Sequence, residues 1–273
     1  MIDRALTVAE IGCNHGGNFD TAKQMIEVAS QCGVDYVKFQ KRDIDSIPPE
    51  VASRGRSDEH RFGDDEYSHR KALEFTIEQH HELKEIATRC GTTYACSAWD
   101  SKSYDLLVGM NCDYIKIPSA RNISCTKWNI SRRVPLHVSL GMTTNEERDR
   151  ILRGFDHGYD LVPYACTSKY PSSPEEVYLD EVPYLALRAG RVGFSGHHKG
   201  IALDIAAYVL GATFVERHFT LDRTSKGTDH AASLEPDGLR KLVRDLEAVR
   251  LARKPKPGGL PTCETEMRKK LKY

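Results

Sequence analysis

Eight short apolar segments recur along the chain, each followed by a polar turn and then, in most cases, by a stretch with helical spacing. The segments at 6–11, 36–40, 93–97, 114–119, 135–139, 160–165, 192–195 and 213–218 have the length and apolar content of buried strands. Between the first two, Ala22, Met25, Ile26 and Ala29 mark one buried face of a helix from Phe19 to Cys32, and Gly33 stops it. Thr144 and Glu147 form a capping box that opens a helix reaching about Phe155. Further helices are predicted over 77–90, 101–108, 125–131, 175–189 (broken at Pro183), 201–210 and 239–252. Eight such alternations in roughly 250 residues predict an α/β chain forming a closed parallel (β/α)8, or TIM, barrel. The barrel is expected over residues 1–252, with 253–273 as a tail or linker. An open doubly wound sheet is the rival, but no Gly-x-Gly-x-x-Gly follows the first strand and no Walker loop occurs.

Charge and cysteine usage narrow the function classes. Lys plus Arg and Asp plus Glu both number 39, so no global field favours nucleic acid or an anionic membrane. No apolar run approaches the ~18 residues of a membrane helix, and the N-terminus lacks the layout of a signal peptide. The eight cysteines are scattered without a Cys-x-x-Cys pair, which fits reduced thiols and a cytoplasmic location.

Barrels of this kind keep their chemistry at the C-terminal ends of the strands. Here those ends carry Glu10, Lys38 with Gln40, Ser97, Lys116 with Ser119, Ser139, Ser168 with Tyr170, His197, and Glu216 with His218. Alternation along the last strand puts Glu216 and His218 on one face, Val215 and Arg217 on the other. Lysines inside apolar strands are costly unless each meets a negative charge. Lys38 and Lys116 can therefore converge on a phosphate and a carboxylate, with Ser119 and Ser139 donating, or each can pair privately with Glu10 or Glu216. On the first reading, Lys116→Met weakens anion binding with little loss of stability. A Schiff-base lysine is a further use of such a residue. His197 and His218 leave neighbouring strand ends and can share a divalent metal that polarises a carbonyl, or each can be an ordinary core histidine. His137 reads as a packed core residue, while His15 and His230 are candidates for the mouth. His60, His69, His80, His81 and His157 fall in predicted loops or helices. The polar stretch from Lys41 to Lys71 reads either as a functional, mobile loop or as a solvated insertion.

These residues carry a resemblance. Ala9-Glu-Ile-Gly-Cys-Asn-His15, Val37-Lys-Phe-Gln40, Tyr114-Ile-Lys-Ile-Pro-Ser119, Ser139-Leu-Gly-Met142, Cys166-Thr-Ser-Lys-Tyr-Pro171, Gly193-Phe-Ser-Gly-His197 and Glu216-Arg-His-Phe-Thr220 resemble the sialic acid synthase family, which includes the legionaminic and pseudaminic acid synthases. The likeness runs over about residues 5–245. It implies condensation of phosphoenolpyruvate with an open-chain aldose, usually an N-acetylated hexosamine, to give a 2-keto-3-deoxy sugar acid and phosphate. His197 and His218 would hold the metal, manganese with magnesium or cobalt as substitutes. Lys38, Lys116, Ser119, Ser139 and Ser168 would bind phosphoenolpyruvate, with Gln40 near the metal. Glu10 would position the water that attacks C2; Glu216, Tyr170 and Asp229 would contact the sugar or relay protons.

The chain also departs from the pattern. Ser119-Ala-Arg121 stands where many relatives have Ser-x-Glu, making Arg121 a candidate selector of the sugar or a residue paired with Asp229 or Glu216. Ser195-Gly-His-His198 replaces Ser-Asp-His-Thr. The antifreeze-like C-terminal domain through which relatives cap a partner's site is expected to be absent, which weakens the argument for a homodimer. Two other functions compete: an aldolase or lyase on a related keto acid, and a non-catalytic sugar-phosphate-binding barrel.

Overall fold

The computed structural model describes residues 4–155 and 158–272, so His157 lies outside the described residues. Eight parallel strands close on themselves in chain order. They are β1 Leu6–Gly12, β2 Tyr36–Lys41, β3 Thr93–Ala98, β4 Ile115–Ile117, β5 Leu136–Ser139, β6 Leu161–Cys166, β7 Gly193–Gly196 and β8 Phe214–His218. β1 bonds to both β2 and β8, which seals the barrel and leaves no open edge. The helices are α1 Phe19–Gln31, α2 Pro49–Ala52, α3 Glu66–Leu73, α4 Ile77–Arg89, α5 Ser101–Gly109, α6 Asn145–Gly154, α7 Glu181–Ala189, α8 Ala202–Val209, α9 Pro236–Ala252 and α10 Thr265–Leu271.

Local chemistry sets many of these boundaries. Thr144 accepts from Glu147 N–H while the Glu147 side chain returns to the Thr144 N–H, so the expected capping box opens α6. Two expected helices change form. The connection from β4 to β5 holds no α-helix, only the 3-10 turns Ser119–Arg121 and Ser124–Lys127. The expected helix over 175–189 is a 3-10 turn at Pro174–Glu176 followed by α7, with no break at Pro183. Pro183 occupies the first turn of α7, where a backbone N–H has no intrahelical acceptor to lose. The polar stretch after β2 is not structureless: α2, α3 and an antiparallel bridge between Gly55 and Asp65 organise it.

Two apolar clusters support the site. The larger lies between the sheet and its helices, where Ile26, Phe39, Leu83, Val215 and Leu246 are all fully buried. The smaller plugs the floor of the barrel with Val8, Ala95, Tyr114, Val162, Tyr164 and Phe214. Each large side chain there contributes about 1.5–3 kcal/mol relative to exposure. His137 belongs to this floor, stacked on Tyr114 with ring centres 3.7 Å apart and within 3.0 Å of the Tyr164 hydroxyl.

β8 shows the two-faced pattern anticipated for it. Arg217 points outward, where its Nη1 donates to Asp204 Oδ2 of α8 at 2.5 Å and to Gly200 O at 2.7 Å. Its Nη2 donates to the carbonyl of His198. Glu216 and His218 point inward. All eight cysteines are free. Among the described residues no helix is long and apolar enough to cross a membrane.

Candidate active site

A cavity of about 290 Å³ opens above the apolar floor, at the C-terminal ends of the strands. The inward side chains just above the floor are charged, and they are paired with one another. Lys38 Nζ lies 2.5 Å from Glu10 Oε2 and donates to Ser97 Oγ at 2.8 Å. Lys116 Nζ donates to Glu216 Oε1 at 2.7 Å and stands 4.1 Å above the Tyr164 ring. Lys38 also comes within 3.6 Å of Glu216, so two cations and two carboxylates form one buried quartet. The lysines thus meet both carboxylates open to them as partners, in a shared cluster rather than as two private pairs. Burial opposes an ionised Glu216, but Lys116 and Lys38 outweigh it and hold its pKa at about 2. Glu10 goes the other way: burial raises its pKa, and Lys38 opposes the rise only in part. Gln40 Nε2 donates to Glu10 Oε1 at 2.8 Å and fixes the carboxyl plane.

Opposite the Glu10 side, β4, β5 and β6 deliver three hydroxyls. Ser119 Oγ donates to Ser139 Oγ at 2.9 Å. A Cβ added to Gly141 would lie 2.5 Å from Ser168 Oγ and 2.7 Å from Ser119 Oγ, so the bare glycine backbone forms the wall between them. Asn122 Nδ2 donates to the carbonyls of Ser139 and Gly141, both at 3.0 Å, and ties down that turn. The result is a cradle of hydroxyl donors beside Lys116, suited to a tetrahedral oxyanion.

His197 and His218 both line the cavity, with ring centres 5.5 Å apart. His197 Nδ1 lies 2.7 Å from Thr167 O; a carbonyl only accepts, so Nδ1 carries a proton, and, against burial, the neighbouring Cys166 raises the pKa of the ring. His218 Nδ1 is buried without a hydrogen bond, 3.7 Å from Asp229 Oδ2. Burial holds the His218 pKa down at about 4, so the ring is neutral near pH 7. The Tyr170 ring lies against His197, tilted by 43° with ring centres 4.0 Å apart. Among the described residues no three His, Cys, Asp or Glu side chains are grouped as a ready metal cage. The side chains that could meet an ion here are the two imidazoles, with the Asp229 carboxylate 3.7 Å from His218.

Of the residues singled out from sequence, Glu10, Lys38, Gln40, Lys116, Ser119, Ser139, Ser168, Tyr170, His197, Glu216, His218 and Asp229 all line this one cavity. Arg121 does not. The 3-10 turn Ser119–Arg121 follows β4; Ser119 and Ala120 face the cavity, and Arg121 has already turned away. Its Nε is buried without a partner, and it pairs with neither Asp229 nor Glu216. His198 faces outward, toward Asp204 and Arg217. His15 stacks on Phe75, and His230 meets Thr220 Oγ at 2.7 Å, so neither reaches the cavity. Several wall residues were not among the expected site residues: Arg42, Trp99, Phe62, Arg70, Cys166, and His69, which was assigned to a loop or helix away from the site. Arg42 and Trp99 sit just past the ends of β2 and β3, so the strand-end rule extended by one residue finds them. Phe62, His69 and Arg70 come from the polar stretch after β2, which carries no local signal of where it folds.

Residues 25–256 match the description "NeuB family". The chain belongs to the NeuB family. It is 35% identical over 272 residues to the N-acetylneuraminate-9-phosphate synthase of Homo sapiens, covering 97% of this chain and 75% of that protein. It is 32% identical to the N,N'-diacetyllegionaminic acid synthase of Legionella pneumophila, covering 89% of this chain and 72% of the relative. Among solved structures, the N-acetylneuraminic acid synthetase of Leptospira borgpetersenii superposes with a TM-score of 0.80 at 25% identity, over 98% of this chain and 93% of that one. The NeuB segment begins inside α1 and ends just beyond α9, so it takes in seven of the eight strands and both histidines of the cavity.

Proposed function

We propose that this NeuB-family chain condenses phosphoenolpyruvate with an open-chain aldose to give a 2-keto-3-deoxy sugar acid and inorganic phosphate. The observation that carries this reading is the serine cradle beside Lys116, facing Glu10 across the cavity. The cradle offers the hydroxyls of Ser119, Ser139 and Ser168 to the phosphate, and Lys116 lies at its edge. Carbon 3 of the enol phosphate attacks the aldehyde carbon, and the aldehyde oxygen takes up a proton. Carbon 2 is left electron-poor. Water adds there, and collapse of the hemiketal phosphate expels phosphate and leaves the ketone. Glu10 is the carboxylate for that stage: its raised pKa makes it a better acceptor of the water proton, and Gln40 keeps it oriented. Tyr170 and Asp229, which line the cavity near His218, would touch the sugar.

His197 and His218 would hold a divalent ion, manganese or in its place magnesium or cobalt, with Asp229 beside them. The neutral His218 imidazole and the Thr167 carbonyl behind His197 fit such an ion. Bound there, it would polarise the aldehyde of the acceptor. The decisive experiment is phosphate release from phosphoenolpyruvate with a panel of aldoses, before and after chelation. Turnover is expected with at least one aldose, to stop on chelation, and to return on adding manganese. No release with any aldose overturns the condensation, and full turnover by stripped protein overturns the metal.

A further inference from the structure

We infer that Arg217, on the outer face of β8, is the positioning residue for the two histidines of the cavity, and that it fixes their separation by gripping the backbone that follows β7. This deepens the reading of His197 and His218 as ligands of an ion and rests on it.

His197 and His218 stand where one more rung of the barrel would be. β7 and β8 pair in parallel from Gly193 with Phe214 to Gly196 with Arg217. The next rung at that offset would join His197 to His218, but β7 ends at Gly196. Both rings follow Ser195 and Glu216 on the inward face, where Ser195 Oγ donates to Glu216 Oε1 at 3.2 Å. On its other flank His197 is bonded to the loop after β6. Ser172 N–H donates to His197 O at 3.1 Å, and Ser172 forms an isolated parallel bridge with His198. The chain that carries His197 is thus tied to the β6 side, while His218 belongs to β8.

Arg217 spans that gap. It directly precedes His218, and its side chain is wholly buried behind the sheet. Nη2 donates to His198 O at 2.6 Å and Nη1 to Gly200 O at 2.7 Å, so one guanidinium holds two carbonyls of the segment that begins at His197. Asp204 Oδ2, from α8, accepts from Nη1 at 2.5 Å and lies 3.3 Å from His198 Nε2. Both imidazoles are therefore referred to a single side chain. His218 follows it along the strand, and His197 precedes a carbonyl that it holds.

The bonding pattern serves geometry more than stability. Arginine and a carboxylate bind most strongly as a fork, through two parallel N–H···O bonds. Here Asp204 Oδ1 and Arg217 Nε are both buried without a hydrogen-bond partner, and Asp204 meets the guanidinium through Oδ2. The second terminal nitrogen goes to a carbonyl instead. Replacing a buried ion pair by well-packed apolar side chains is often neutral for stability, whereas a planar guanidinium holds its acceptors at fixed angles. Outer residues that orient metal ligands change metal affinity by about 10–100-fold when they are replaced.

The test is manganese binding without substrate, followed by the paramagnetic resonance of the free ion, with the visible spectrum of bound cobalt as a probe of coordination geometry. Wild type is expected to bind manganese. Arg217→Lys keeps a charge beside Asp204 but loses the fork, and is expected to bind about 10-fold more weakly or worse, with a shifted cobalt spectrum. Arg148→Lys is the control. It loosens another pair, with Glu181 between α6 and α7, and should lower the unfolding midpoint without moving either metal readout. If Arg217→Lys does not fold, Asp204→Asn loosens the guanidinium without removing it, and Asp204→Leu with Arg217→Met puts apolar bulk in place of the pair; both carry the same comparison. Manganese affinity within about twofold of wild type and an unshifted cobalt spectrum in these variants overturn the inference. Failure of wild type to bind any ion overturns the metal reading instead. The ring separation of 5.5 Å, measured in metal-free crystals, then decides the role of Arg217: it stands if the rings move apart in Arg217→Lys and falls if they keep their distance.

Discussion

Lys116 shows how a charged residue in a strand ties function to stability. Its Nζ meets Glu216 Oε1 at 2.7 Å, and both side chains are almost wholly buried. The sequence-based expectation that Lys116→Met would leave the fold nearly untouched is therefore replaced by a different one. The substitution strands Glu216 with only Lys38 at 3.6 Å, and breaking a buried pair on one side costs about 3–5 kcal/mol. Denaturant unfolding of Lys116→Met is expected to show a loss in that range, and Lys116→Met with Glu216→Gln to recover more than half of it. Equal stabilities of wild type and the single variant would mean that the quartet carries no net coupling. A weakened affinity in the single variant alone thus says little about ligand contact, because the site around it has changed.

The segment after β2 is the element that turns a barrel mouth into a cavity. Its helix α3 begins with a capping box at Asp65 and Ser68 and carries His69 and Arg70 to the wall. Two of the contacts that hold the segment down lie at its opposite ends. Lys226 stands 5.0 Å over the Phe62 ring, from the loop that bears Asp229. At the other end Gly17, at φ +78°, packs so closely that an added Cβ would overlap the carbonyl of Ala72. Gly17→Ala is therefore doubly unfavourable, through both backbone conformation and space. It is expected to lift α3 from the barrel, raise KM for the sugar several-fold, and speed proteolysis within residues 41–71, while the barrel stays folded. An unchanged cleavage rate there would show that α3 is held by other contacts.

For the molecule as a whole, buried neutral histidines set the acid limit. Burial holds His15 and His218 near 4 and His80 near 3, against an ordinary value of about 6.5. Each pKa is lowered in the folded state, so the unfolded chain takes up protons that the native one refuses. Their contribution is complete above pH 6.5 and is lost as the pH falls toward 4, at up to ~1.4 kcal/mol per pH unit for each. Glu216, held at about 2, adds a loss in the same direction below its ordinary range, while the raised Glu10 works the other way. Unfolding midpoints are expected to fall steadily between pH 6.5 and pH 5; a flat profile would show that these rings do not resist protonation. Much of this architecture was legible beforehand, because strand period and strand-end chemistry are local properties. Glu10, Lys116 and His218 each sit in or at the end of an apolar strand, and each faces the cavity. What was not legible depends on distant contacts. The turn that carries Arg121 away, the mutual pairing of the lysines and glutamates, and the folding of Arg70 onto the mouth all join residues far apart in the chain.

The alternation in β8 has a consequence for how such a protein changes over generations. Its outward side chain, Arg217, is anchored by Asp204 and the carbonyls of His198 and Gly200, independently of anything bound inside. That anchor sets the strand's register, since a slip of one residue would expose the guanidinium to the barrel interior. Variation at the rim, at Arg42 or Tyr170, leaves the anchor untouched. Descendants of this chain can therefore explore new acceptors by altering one side of a strand while the other side preserves the inherited frame.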